Sequence, residues 1–359
     1  MFRSILSYFF FIPKFFPYFK KKNKIRPYFG LPKRDFGGPN IRTKKMIDVF
    51  GNYFFSPNII YAQSWWDRRE LEDAYNFSQK NNVPVVFNQN GWFYPAWYKG
   101  DWKGRNQAII KLQKISEKVI YQSKFCKITS KKLNNYINVS NLILFNPSLI
   151  KKSKYKNKFL KKKKSFNIII TGVFGEESKH ILIPILKAIE YINRNNILSY
   201  QFKLKIYGVI KRDMIKSNWY NEYVKLYEKL SCKNLVLFYG KYNHKNLDTI
   251  LKDINLAIHI KYKDPCPNAV IEKLQYGIPH IYSNSGGTPE LIGKSGLPIN
   301  VKDDWHSMRG VNYKILSKKI IEITKNYQKF KKKSYKQGKK FQLSNYIFVH
   351  KKIFKNLNR

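Results

Sequence analysis

Two acids eight positions apart, Asp264 and Glu272, bracket the pair Pro267-Asn268 in the stretch DPCPNAVIEKLQYGIPHIYSNSGGTPELI. A third acid, Glu290, follows the glycine pair Gly286-Gly287. The start of a helix presents unpaired amides at the positive end of its dipole, a place suited to a phosphate. Pro267 fits an early helix position because it loses only an orphan N–H, and Asn268 is a good cap. Glu272 lies about one turn into the helix, where a carboxylate can accept from the two hydroxyls of a vicinal diol. Asp264, in the preceding loop, can face the next group along a ligand anchored there. The glycine pair lets a second loop approach the same place, and Thr288-Pro289-Glu290 opens another helix. Taken alone, these acids read equally well as ordinary partners of helix dipoles.

The elements around them give context. Apolar, β-branched runs at 58–64, 84–91, 118–123 and 141–147 alternate with helical patterns, and the alternation restarts at 166–172, 202–208, 234–240, 255–260 and 278–284. Strands alternating with helices mean βαβ units and a parallel sheet. The expected organisation is α/β with two doubly wound, Rossmann-like domains: 1–149, a basic linker at 150–165, and 166–335. An amphipathic helix at 341–359 is expected to pack back on the first domain. Ligands of such folds sit at the C-terminal ends of strands, here expected in the cleft between the halves.

Composition narrows the class. The chain has 359 residues, 43% hydrophobic, with 69 Lys and Arg against 22 Asp and Glu, a net charge of +47. That field draws the protein towards anionic lipid, phosphates or nucleic acid at low salt. The lysines are spread along the chain, and no zinc, helix-turn-helix or RNA-recognition pattern appears, so no specific nucleic-acid partner is expected. Three cysteines without paired spacing argue against a disulfide framework or a cysteine zinc site and fit a reducing cytosol. The opening MFRSILSYFFFIPKFFPYFKKKNK is too interrupted for a spanning helix. It is either an interfacial segment, with Lys20 to Lys22 on headgroups, or a first buried strand at 5–11.

The 264–290 stretch resembles the donor-site signature of retaining GT-B glycosyltransferases of family four. The resemblance covers an acid, seven residues and a Glu, then Gly277-x-Pro279, Gly286-Gly287 and Glu290. More weakly it reaches FGGPN (36–40), VIYQSKFCK and NIIITGVFGEESK. It implies a GT-B fold and transfer of a sugar from a nucleotide-diphosphate sugar, without a cofactor or metal; no Asp-x-Asp motif of the metal-dependent transferase fold occurs. Glu272 inherits the ribose hydroxyls and Asp264 the donor sugar, the two positions assigned to catalysis. Asn268, Ala269, Gly286, Gly287, Thr288, Glu290, Gly172, Gly37 and Gly38 are the remaining donor-binding positions. Family members carry an Arg and a Lys that neutralise the diphosphate. Lys179 matches the Lys, while Val173 stands where the Arg is expected, leaving Lys211 or Arg212 as substitutes.

The loop FNQNGWFYPAWYKGDW holds the expected acceptor contacts. Asn90, Trp92 and Trp97 would meet a sugar, and Asp101 and Arg105 its hydroxyls or a phosphate. No histidine precedes residue 165, so the leaving diphosphate takes the acceptor's proton in a retaining transfer, whereas inversion calls on Asp35 or Asp101 as base. The expected partners are a nucleotide-sugar, a glycan or lipid-linked acceptor, and an anionic membrane surface, in cytoplasmic synthesis of cell-surface polysaccharide or glycolipid. The alternatives are a nucleotide-sugar epimerase on the same fold and a basic nucleic-acid-binding protein.

Overall fold

Five parallel strands form the first sheet in chain order: β1 (Pro27–Tyr28), β2 (Ile59–Gln63), β3 (Val85–Gln89), β4 (Lys118–Tyr121) and β5 (Asn141–Ile143). The computed structural model describes residues 24–32, 38–148, 165–242 and 246–358. The expectations placed on residues 5–11, 20–22, Asp35 and Gly37 lie outside them. β2 and β3 are buried along their whole length, as an apolar run in a sheet covered on both faces must be. One face packs Leu71, Ala74 and Phe77 of the Arg68–Asn81 helix and Ile109 and Leu112 of the Trp102–Lys114 helix against Ile60, Val85, Phe87 and Val119. The other packs Met46 of the Gly38–Phe50 helix, and Tyr346 and Phe354 of the Leu343–Leu357 helix, against Ile59, Tyr61, Val86 and Ile120. The Arg68–Asn81 helix starts on a capping box, Asp67 accepting from Glu70 N and Glu70 accepting from Asp67 N.

The chain divides into two compact units, Met1–Pro147 with Gln342–Arg359, and Ser148–Phe341. The second holds β6 (Ser165–Phe174), β7 (Gln201–Ile210), β8 (Val236–Gly240), β9 (Leu256–His259), β10 (His280–Ser283) and β11 (Gly296–Ile299). They run parallel in the order β11-β10-β9-β6-β7-β8. Counted from the unit's first strand this is the doubly wound nucleotide-binding order, which reverses between β6 and β9. Crevices for ligands open at such a reversal, beyond the carboxyl ends of the two strands. Both units are therefore parallel-sheet α/β domains, as the alternation predicts. β1 and β11 are additional strands. Each carries a Pro and each is an edge strand, the position where a missing N–H is tolerated.

Candidate functional site

In the second unit, the carboxyl ends of β6, β9 and β10 lead into most of the predicted residues. Beyond His259 the chain runs through Ile260 and Lys261 to Lys263, a non-glycine residue at φ +49°. Its backbone N–H donates to Ser285 Oγ at 3.1 Å, and its ammonium meets Asp303 and lies 3.8 Å from the ring centroid of Trp305. These contacts hold a left-handed residue that costs on the order of 1–3 kcal/mol. The turn brings Asp264 back over the end of its own strand. Its Oδ2 lies 3.4 Å from His259 Nε2 and 3.7 Å from Lys261 Nζ. Burial raises the Asp264 pKa, but Lys261, His259 and the Cys266 amide outweigh it and hold it at about 2. Asp264 is therefore a carboxylate at any physiological pH.

The glycine loop touches the same segment. Gly287 N donates to Asp264 O at 2.9 Å. Gly286 has φ +69°, and a Cβ there would stand 2.5 Å from Asp264 O and 2.7 Å from Asp264 N. No other residue fits. The helix Asn268–Gln275 starts beside this junction with Pro267, not Asn268, as its cap residue. Asn268 occupies the first helical position, because Pro267 at φ −69° and ψ 114° is extended and its carbonyl already accepts from Val270 N and Ile271 N. No side chain caps this start. Gly287 caps the short helix Thr288–Ile292, likewise with no side-chain cap. Asn268 Oδ1, Thr288 Oγ1 and His259 Nε2 are buried without a hydrogen-bond partner. Buried polar atoms rarely go unsatisfied, and three around one junction mark a place built for polar ligand groups.

Glu272 is buried one turn into its helix. Burial pushes its carboxyl pKa up towards neutrality, and Lys273 opposes that shift. Lys273 is buried too, its pKa lowered by the same loss of water and supported by Glu272. Its ammonium donates to Thr171 Oγ1 at 2.7 Å and Ala269 O at 3.1 Å. Thr171 precedes Gly172, which lies beside Gly208 so closely that a Cβ on Gly208 would overlap Gly172 O. Ala269 is half-buried at the second helical position and Glu290 half-buried in the second short helix. Lys179 is the first residue of the Lys179–Arg194 helix and pairs with Glu222 Oε2 at 2.6 Å, both half-exposed. Val173 is exposed at the end of β6, and Lys211, near Asp213 at 3.7 Å, begins the turn after β7.

The expected acceptor residues lie in the first unit. Trp92 is a core residue, 3% exposed, with Nε1 donating to Cys126 O at 2.9 Å. Trp97 is 41% exposed, stacked on Phe93 at 5.3 Å, with Tyr98 edge-on to Phe93 at 4.8 Å. Asp101 accepts from Gly104 N at 2.8 Å as the cap of the next helix. Arg105 donates to Trp66 O at 2.9 Å and lies 4.7 Å over Phe93. Gly38 opens the helix that carries Arg42.

Sequence reasoning missed what lies under Asn90. Arg42 is fully buried and donates to Asn146 Oδ1 at 2.6 Å and Gln63 Oε1 at 2.7 Å. With its amide turned to suit its neighbours, Asn90 also accepts from Arg42 at 2.9 Å and donates to Asn88 at 2.9 Å. Gln122 donates to Asn88 Oδ1 at 2.8 Å, and Asn88 to Tyr61 Oη at 2.8 Å. With no acid partner among the described residues, this charge is solvated by amide oxygens beyond or at the carboxyl ends of β2, β3 and β5. His259, Lys273 and Arg42 carried no sequence signal, because each stands inside an element whose pattern reads as core or surface.

A family model described as "Glycosyl transferases group 1" matches residues 151–341. No curated protein matches the sequence. Among solved structures, the chain is similar to a sucrose-phosphate synthase from Thermosynechococcus elongatus, at TM-score 0.66 and 12% identity over 89% of this chain and 78% of that one. It is also similar to HepE from Anabaena in complex with UDP and glucose, at TM-score 0.64 and 13% identity, covering 88% of each chain. A glycosyltransferase from Rickettsia africae gives TM-score 0.61 and 15% identity over 87% and 79%. At these identities the likeness is one of fold, and the fold is GT-B.

Proposed function

Because the chain belongs to the glycosyl transferases group 1 family and is a glycosyltransferase, we propose that it uses a nucleotide-diphosphate sugar as donor and transfers with retention, as members of family four do. The observation that carries this reading is the junction of Asp264 with Gly286 and Gly287 beside two uncapped helix starts and three unsatisfied polar atoms. The amides of Asn268 and Ala269, and that of Thr288, receive the diphosphate and sugar. Glu272 accepts from the ribose hydroxyls. Asp264, ionised throughout, faces the donor sugar and balances the positive charge that develops at its anomeric carbon. Lys179 leaves Glu222 for the diphosphate. The bond from the anomeric carbon to the diphosphate breaks, the acceptor oxygen bonds on the same face, and the leaving diphosphate takes the acceptor's proton.

Trp97, exposed and stacked on the half-buried Phe93, offers a flat aromatic face for the acceptor, a glycan or a lipid-linked sugar. The net charge of +47 favours an acceptor presented at an anionic membrane in cell-surface polysaccharide or glycolipid synthesis. No helix among the described residues is long and apolar enough to cross a membrane.

A panel of nucleotide-sugars screened by thermal shift tests the donor class. Ligand at a hundredfold excess over Kd adds about 2.7 kcal/mol, a rise of several degrees. One family of donors sharing a nucleotide should raise Tm, and Glu272→Ala should abolish the rise. A wild-type protein indifferent to every donor overturns the reading. The anomeric configuration of the product, read by NMR, tests retention, and epimerised donor without acceptor would favour an epimerase instead.

A further inference from the structure

The fold gives Asp264 a partner that the proposed function leaves without a role. His259 is the last residue of β9, 12% exposed, and its Nε2 lies 3.4 Å from Asp264 Oδ2, itself 14% exposed. At that separation the contact is electrostatic, and Nε2 has no hydrogen-bond partner of its own. Every other part of Asp264 is already fixed. Its carbonyl is held by Gly287 N, its backbone is pressed by Gly286, and the preceding Lys263 is tied to Ser285, Asp303 and Trp305. What remains is rotation of the carboxylate, which is met by the Cys266 backbone amide and, among side chains, by the largely buried imidazole of His259. Lys261, the cation in reach, is 53% exposed and 3.7 Å away, on a long side chain that water can detach.

We propose that His259 is a positioning residue for sugar transfer: it holds the Asp264 carboxylate in one orientation, so that a fixed negative charge rather than a rotating one meets the donor sugar. This rests on the glycosyltransferase reading for what the carboxylate faces, though the clamp itself is a property of the free protein. The groups around the pair are consistent with it. Lys261 and the Cys266 amide also stabilise the carboxylate, and His280 of the adjacent β10 faces Lys273 and His259, its pKa well below the usual value because it is wholly buried. His280 therefore stays neutral and does not compete for Asp264.

The test uses the full chain and two variants of His259. His259→Gln keeps an N–H near the Nε2 position, whereas His259→Phe keeps the ring and removes the donor. Two readouts separate the clamp from the reaction. With carbon-13-labelled aspartate, the Asp264 carboxyl, assigned by Asp264→Asn, should titrate near 2 in the wild type and higher in His259→Phe, with His259→Gln between. With the donor that proves active, His259→Phe should lower kcat about 10- to 100-fold while donor KM changes less than about threefold, and His259→Gln should restore most of the rate. In an Asp264→Ala background, His259→Phe should have no further effect.

An unchanged Asp264 titration in His259→Phe overturns the clamp. A shifted titration with unchanged kcat overturns its part in transfer. Losses that add in the double variant assign His259 an independent role and also overturn it. A wild type that transfers no sugar from any donor sinks the function reading and the role in transfer together, while the titration still decides whether His259 clamps Asp264. Binding of UDP, GDP and ADP by each variant shows whether the nucleotide pocket stays intact.

Discussion

At the scale of single residues the two acids differ in kind. The Asp264 carboxyl is held at about 2 by Lys261 and His259 against the effect of burial. A depressed folded-state pKa adds stability above the unfolded pKa, near 3.9, that is lost as pH falls through 2. Asp264→Asn should therefore remove on the order of 2 kcal/mol of stability at pH 6. It should also flatten the loss of Tm between about pH 4 and pH 2 that the wild type shows. Parallel acid profiles would refute the clamp on this carboxylate. Glu272 is shifted the other way by burial. In the proposed role it accepts from both ribose hydroxyls best when ionised, since protonation turns one oxygen into a donor. Donor affinity should therefore weaken as pH falls below neutrality, and Glu272→Gln should bind weakly at every pH. Calorimetry of the active donor between pH 6 and 8.5 reads both. Lys179 is held by Glu222 on the surface. Such a pair is worth about 0–1 kcal/mol, so Glu222→Gln should tighten nucleoside-diphosphate binding by no more than about fivefold.

At the scale of elements, the site depends on two loops made to touch. Gly286 is the joint, and its positive φ and the Asp264 backbone exclude any side chain. Gly286→Ala should push the loops apart, costing about 1–3 kcal/mol in backbone strain and most of the transfer rate. An active, equally stable Gly286→Ala variant would contradict this account. The corresponding elements of the first unit put their polar groups to inward use. Asp101 caps a helix, Trp92 fills the core, and Asn90 is bonded to Arg42 and Asn88. The network ends at His350, whose Nδ1 meets the Tyr346 carbonyl at 2.8 Å and so carries the proton, leaving Nε2 to accept from Tyr61 at 3.0 Å. Burial lowers this histidine to about 4, so it stays neutral. Trp97 alone among the tryptophans of that loop offers an exposed face, and Trp97→Ala should raise acceptor KM more than donor KM.

At the scale of the molecule, a charge of +47 is felt at long range but screened over about 8 Å at physiological salt. Sedimentation with anionic vesicles should pull the protein down at low salt and release it as salt rises, while neutral vesicles leave it in solution. Failure to sediment at moderate salt removes the membrane from the proposal. The two parallel-sheet domains were legible because buried strands such as β2 and β3 need continuous apolar runs, and because helices between them keep their own period. The meeting of the two loops was legible because their glycines and prolines answer to backbone geometry, which spacing records directly. Strand β1, the cap at Pro267, and the partners His259, Lys273 and Arg42 were not, since a buried polar side chain is chosen by whatever lies across from it. By itself the sequence determined the period, the turns and the family of the chain. The tertiary structure decided which atoms meet: the left-handed turn at Lys263 sets a carboxylate against a histidine five residues earlier, and a sheet reversal places both where a ligand belongs.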